Sequence, residues 1–251
     1  MQYFIDEMHI SPETMNNVVI IGASGHGSVV LDCIEQENKY NLIGFIDSFK
    51  KKGYKHNGYE VLGTEDDLPQ LIEKFNLYGG IVAIGDNWTR GKVVEKISKM
   101  VPSFNFITAI HPNTIIGKNV TIGTGTVIIP GAIVNANAVI GKHSIINTKS
   151  TLGHDGYMSE FSSLAPGVCT GGNFALGAYS AISLGTNIIE NITIGAHTVV
   201  GAGSLVIRDF KNNVMVHGNP AQVIRTRNKG EKYLAGTSKP ARNRLRESTF
   251  F

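Results

Sequence analysis

From Ile110 to Val206 the chain places an apolar residue at every sixth position, and no other feature restricts its fold so strongly. The series runs Ile110, Ile116, Ile122, Ile128, Val134, Ile140, Ile146, Leu152, Met158, Leu164, Thr170, Leu176, Ile182, Ile188, Ile194, Val200 and Val206, and only Thr170 departs from it. Glycine follows the apolar residue at 117, 123, 141, 153, 171, 177, 195 and 201, and small or β-branched residues such as Val120, Thr126, Ala132, Ser144 and Thr198 recur four places after it. A six-residue period is the signature of a parallel β-helix. Each unit supplies one short strand and a turn, so one apolar side chain per unit points inward while Gly or Asn takes up the corner backbone. Three units close a triangular coil, and residues three units apart then stack about 4.8 Å along the axis. A β-sandwich would instead alternate with period two between irregular loops.

The rest of the chain is long enough for a second core. Of 251 residues, 42% are hydrophobic and 17% charged, the balance of a soluble protein of one large or two modest domains. Residues 1–16 read as an N-terminal extension, 17–108 as an α/β domain, 109–225 as the rod and 226–251 as a basic tail. Asp6 and Glu7 near the start, with no apolar run of about 18 residues anywhere, predict neither a signal peptide nor a membrane span. Cys33 and Cys169 fall in different domains, which predicts no disulfide and a cytoplasmic location. The net charge of +3 is concentrated after Arg225, without the aromatic-laced basic face of a nucleic-acid reader, so no nucleic-acid partner is expected.

Before the rod, Val18–Ile21 reads as a buried strand that enters Gly22-Ala23-Ser24-Gly25-His26-Gly27 and then a helix through Ile34. A second strand, Leu42–Ile46, ends at Asp47, where dinucleotide folds place an acid to meet a ribose. Thr64-Glu65-Asp66-Asp67 resembles a capping sequence opening a helix through Phe75. Ile81–Ile84 is a third strand, Gly85-Asp86-Asn87 leads into a helix to about Lys99, and Phe104–Thr108 forms a last strand. The unit is a small doubly wound α/β fold with a ligand crevice at its strand ends. Its glycines are spaced G-x-x-G-x-G, which suits both a plain tight turn and an anion site at a helix N-terminus, and His26 stands open between ligand contact and packing.

An α/β domain opening Val19-Ile20-Ile21-Gly22-Ala23-Ser24-Gly25-His26-Gly27 and joined to hexapeptide coils resembles the bacterial sugar acyltransferases. That family includes sialic acid O-acetyltransferases and nucleotide-linked 4-amino-sugar N-acetyltransferases. The likeness extends over Gly44-Phe45-Ile46-Asp47, Ala83–Asn87 with Arg90, Ile110-His111-Pro112, Asn147-Thr148, His154-Asp155 and Gly218-Asn219-Pro220-Ala221. It implies a left-handed β-helix, a homotrimer with active sites between rods, and acetyl-CoA as co-substrate without a metal.

By this resemblance His154 is the general base and Asp155 its candidate orienting acid. Side chains at adjacent strand positions point to opposite faces, so an acid from another coil stays open for that role. The acceptor, a nucleotide-linked amino sugar, falls to Gly22, Ser24, Gly25, His26, Asp47, Asp86, Asn87, Arg90 and Asn147. The donor falls to Gly171, Ser183, Gly201, Ala202 and Pro220, and to Ser163, which stands where many relatives carry a second histidine. A hydroxyl there replaces a hydrogen bond but not a charge.

The expected function is acetyl-CoA-dependent N-acetylation of a nucleotide-linked 4-amino-4,6-dideoxy sugar. Sugar O-acetylation of the sialic acid type is the alternative, and a non-catalytic nucleotide-binding rod a remoter one. A carbonic-anhydrase-like zinc rod needs three clustered histidines. Of His111, His143, His154 and His197 only His143 and His197 share a column, three coils and about 14 Å apart, so no metal is expected. An acyl relay through Cys169 is disfavoured because a lone buried cysteine is usually inert packing.

Overall fold

The computed structural model describes residues 15–234, so the start of the extension and the tail from 235 onward lie outside the described residues. Strand β1 (Asn16–Ile21) is followed by α1 (Gly25–Glu37), β2 (Tyr40–Ile46), β3 (Lys55–His56), β4 (Tyr59–Gly63), α2 (Leu68–Phe75), β5 (Leu77–Val82), α3 (Asn87–Met100) and β6 (Asn105–Phe106). The sheet order is β3-β4-β2-β1-β5-β6, with β1 parallel to both β2 and β5. Strand β1 therefore lies at the switch point. The segments after β1, β2 and β5, which hold Ser24, Asp47 and Asp86, meet at one sheet edge, where such folds open a crevice.

The rod consists of two-residue strands in three parallel sheets. The first sheet starts at Ala109–Ile110, the second at Ile115–Ile116 and the third at Thr121–Ile122. The first sheet ends in a hairpin, Val214–Gly218 with Ala221–Thr226. Registers such as Val127↔Ile145 and Ile128↔Ile146 repeat with an 18-residue offset, as the six-residue period requires. The inward residues from Ile128 to Val206 form one continuous core in which Leu152, Met158, Leu164 and Val200 are fully buried.

The corner chemistry differs from the expectation. The glycines that follow the inward residues serve close approach: a Cβ at Gly117 would lie 2.6 Å from the Ala136 nitrogen of the next coil. Left-handed backbone sits elsewhere in the unit, at every sixth residue from Asn119 (φ 60°) to Gly203 (φ 69°). Each corner of the triangle fills that position differently. Between the second and third sheets the column reads Asn119, Asn137, Asp155, Asn173, Asn191. Between the third and first it reads Gly125, His143, Phe161, Tyr179, His197, and between the first and second Gly131, Lys149, Gly167, Gly185, Gly203.

In the second of these columns the rings of His143, Phe161, Tyr179 and His197 stack with centroids 5.0, 4.9 and 5.1 Å apart. A left-handed non-glycine residue costs about 1–2 kcal/mol. An aromatic pair returns about 0.5–1.5 kcal/mol, which offsets much of that cost.

The aromatic corner and the first sheet carry the α/β domain. Ala109, Val127, Ile129 and Ile145 share a core cluster with Val30, Leu31 and Ile34 of α1. Trp88 of α3 packs on Tyr179 and His197, and a side chain at Gly91 would collide with the Tyr179 ring.

Candidate active site

His154 lies on the corner between the second and third sheets, remote from the covered face. Its imidazole is exposed, and Nδ1 donates to Asp155 Oδ2 at 2.7 Å. Strand geometry leaves the orienting acid open between Asp155 and another coil, and the contact here is with Asp155. Asp155 is the left-handed corner residue (φ 56°), so adjacent side chains converge instead of diverging.

The asparagine column explains why the carboxylate is available. Asn119 Nδ2 donates to Asn137 Oδ1 at 3.2 Å, and Asn137 Nδ2 donates to Asp155 Oδ1 at 3.1 Å. A carboxylate has no N–H to pass onward. The ladder accordingly skips the Asp155–Asn173 step and resumes from Asn173 to Asn191 at 3.0 Å. Asp155 Oδ2 is left for His154, whose hydrogen bond is the largest cause holding the Asp155 pKa below the usual carboxylate value, with Asn137 second. In the neutral tautomer that donates from Nδ1, the lone pair is on Nε2. It lies over Gly172, where any side chain would collide with the ring. Neither Asn137 nor Gly172 was singled out from the sequence, yet both sit one coil from the Asp155-His154 pair and column arithmetic would have found them.

A second group of residues assembles at the junction of the domains. A cavity of about 170 Å³ is lined by His26, Gly85, Asn147, Ser163, Ser183 and Tyr233, among others. The His26 Nε2 is buried and without a partner among the described residues, and burial, then Arg90, lowers its pKa to about 4. The Tyr233 hydroxyl lies 3.3 Å from both the Gly85 carbonyl and Ser163 Oγ, so this part of the basic tail folds back onto the junction. Asn147, Ser183 and Gly201 occupy one column of the rod, and Ala202 stands at its far end, where its carbonyl is 3.2 Å from His217 Nε2. Pro220 is exposed in the turn of the terminal hairpin, whereas Gly171 packs against Gly153 on the His154 side.

At the crevice, Gly22 turns the chain with φ 113° and Ser24 caps α1, its hydroxyl accepting from Gly27; Gly25 opens the helix, exposed. Asp47 is buried and its carboxylate accepts from three backbone N–H groups, those of Ala23 at 2.8 Å, Phe49 at 2.7 Å and Lys50 at 2.9 Å. It shapes the loop around the crevice. Asp86 caps α3 through Thr89.

Asn87 and Arg90 require a correction. Both are buried and face protein, not the crevice. Arg90 Nε donates to the His143 carbonyl at 2.8 Å, Nη1 to those of Ile84 at 2.8 Å and Gly85 at 3.2 Å, and Nη2 to Asn87 Oδ1 at 2.6 Å. Asn87 Nδ2 in turn donates to Ser163 Oγ and the Ser180 carbonyl. Four of the five guanidinium N–H groups are thus taken by protein acceptors in a buried position, and the pair braces the α/β domain to the rod.

Cys169 is exposed, contrary to the buried thiol expected. It pairs with Thr151 and Asn187 in the second sheet of the rod. Cys169→Ser is expected to retain substantial activity, and recovery of an acetylated Cys169 peptide during turnover would contradict this. Among the described residues there is no group of His, Cys, Asp or Glu arranged to hold a metal ion.

Residues 17–97 match the PglD N-terminal domain family. A UDP-N-acetylbacillosamine N-acetyltransferase from Bacillus subtilis is 35% identical over 113 residues, covering 45% of this chain and 51% of that protein. The match thus spans about half the length of that relative. A GDP-perosamine N-acetyltransferase from Escherichia coli O157:H7 is 30% identical over 166 residues, covering 62% of this chain and 71% of that one. A variant of perosamine N-acetyltransferase from Caulobacter crescentus, solved in complex with CoA and GDP-perosamine, superimposes with a TM-score of 0.78 at 31% identity over 83% of this chain and 96% of that one. The shared architecture is an N-terminal α/β domain followed by a left-handed parallel β-helix. The chain therefore belongs to the hexapeptide-repeat acyltransferase family that contains these nucleotide-sugar N-acetyltransferases.

Proposed function

We propose that the protein transfers the acetyl group of acetyl-CoA to the 4-amino group of a nucleotide-linked 4-amino-4,6-dideoxy sugar. The observation that carries this reading is His154, with Nδ1 held by Asp155 and Nε2 unengaged on an exposed corner. The similarity to enzymes named for perosamine and bacillosamine nucleotides supports the amine over a hydroxyl as acceptor.

The sugar amine attacks the thioester carbonyl, forming the C–N bond. His154 Nε2 removes the ammonium proton, and the C–S bond breaks to release coenzyme A as the thiol once that proton is returned to sulfur. Asp155 stabilises the imidazolium formed in between. No covalent enzyme intermediate is needed.

The reading includes a homotrimer, and the geometry supports a site shared between copies. The α/β domain covers the first sheet and the aromatic corner of its own rod, whereas His154 occupies the opposite corner. An acceptor held at the junction cavity of one copy is then presented to His154 of a second copy. Ile115, Val139, Tyr157 and Ile189 are exposed on the uncovered sheets, which supplies apolar surface for that contact. No helix among the described residues is long and apolar enough to cross a membrane. With two free thiols, we place the reaction in the cytoplasm, where an N-acetylated nucleotide sugar feeds polysaccharide biosynthesis.

Incubation with acetyl-CoA and a panel of nucleotide-linked 4-amino sugars should yield a product heavier by one acetyl group and stable to mild base. Acetylation confined to free sugar hydroxyls, lost in mild base, would favour the O-acetyltransferase reading instead.

A further inference from the structure

The single break in the apolar series, Thr170, lies in the coil that follows His154 in the rod. Thr170 is 5% exposed, in an inward column between Leu152 and Ile188. Along this column the residue after each inward position donates its N–H to the carbonyl of the next coil. Asn135 donates to the Leu152 carbonyl at 3.0 Å, and Gly171 to that of Ile188 at 2.9 Å. The residue between them does otherwise: Gly153 donates to Thr170 Oγ1 at 3.0 Å. The strand pairing shows the same interruption. Neighbouring steps pair both residues, as in Val134↔Leu152 and Thr170↔Ile188, but between these two strands only Thr151↔Cys169 is kept.

We propose that Thr170 is a positioning residue for His154, acting through the Gly153 amide. The inference rests on the reading of His154 as the base. A hydroxyl in an apolar column is a poor choice for packing, since valine has the same shape without the desolvation cost of a polar group. What the hydroxyl adds is a hydrogen-bond acceptor set apart from the main-chain carbonyl. It draws the Gly153 amide out of the regular ladder one residue before the imidazole. Gly172 leaves room for the ring over the same coil, so the local path of this coil is fitted to His154 on two sides. Thr170→Val would let Gly153 return to the residue-170 carbonyl and move the imidazole back with it.

The test is steady-state kinetics combined with thermal unfolding on Thr170→Val, Thr170→Ser and His154→Asn, with Thr170→Val also made in the His154→Asn background. Thr170→Val is expected to lower kcat by roughly 10- to 100-fold, the effect of a small misplacement of a reacting group. KM for both substrates should stay near wild type, and the melting temperature should be equal or higher. Thr170→Ser, which keeps the oxygen, should recover most of kcat. In the His154→Asn background the Thr170→Val change should have no further effect on kcat. Wild-type kcat in Thr170→Val, the same fold loss in both backgrounds, or a loss that tracks a lowered melting temperature would overturn the proposal while leaving His154 as the base. Wild-type turnover in His154→Asn would overturn both.

Discussion

Replacing His154 by asparagine is expected to lower kcat by roughly 10²- to 10⁴-fold, the usual contribution of a positioned general base. Acetyl-CoA affinity and thermal stability should stay close to wild type. The side chain is 63% exposed and its hydrogen bond goes to an exposed neighbour, so the rod loses no packing with it. Asparagine keeps a donor toward Asp155 but has no group that accepts a proton near neutrality. Wild-type-like turnover would remove His154 from the mechanism. A loss of activity matched by a loss of donor binding would assign it to substrate binding instead.

The second large effect is expected from Arg90→Ala, on stability. The change leaves the carbonyls of His143 and Ile84 and the Asn87 amide oxygen without their donors in a buried junction, and the Gly85 carbonyl with only the Tyr233 hydroxyl. Unsatisfied buried acceptors cost about 1–3 kcal/mol each. With partial relief by water, a total of about 3–5 kcal/mol is expected. Burial brings the Arg90 pKa down only to about 10, so the group remains charged at neutral pH and the effect should be flat from pH 6 to 8. Arg90→Lys should recover little, because an ammonium cannot reproduce the fork that reaches four acceptors. Chemical denaturation checks the size of the loss, and amide exchange in α3 should report the α/β domain loosening from the rod. An Arg90→Ala protein of wild-type stability but with a raised acceptor KM would return this residue to the ligand.

His154 and Arg90 differ in what local sequence says about their side chains. His154 was singled out only through resemblance, as one histidine in a glycine-flanked corner. Its meaning became physical once Asp155 was seen in a column of asparagines as the member that cannot pass the hydrogen bond on. Arg90 carries a matching motif position, yet its guanidinium turns inward. Motif spacing places a Cα and says nothing about where a long side chain finds its acceptors.

What the sequence by itself determined is the periodic part. A strict six-residue repeat buries one apolar side chain per unit, and the coil, the 18-residue stacking and the inward position of Thr170 follow from counting. The β1-turn-α1 unit was legible for the same reason, since its signals are local. The tertiary structure decided everything that depends on which faces meet. The α/β domain lies against the first sheet and the aromatic corner because α1 offers Val30, Leu31 and Ile34 to outward apolar residues such as Val127 and Ile145, and because Trp88 finds the Tyr179 and His197 rings. That docking buries Asn87 and Arg90, closes the cavity around His26 and Ser163, and leaves His154 on the free corner. The period places the rod's outward residues, but which of them meet α1 and α3 depends on side chains far apart in the chain, which no local pattern records.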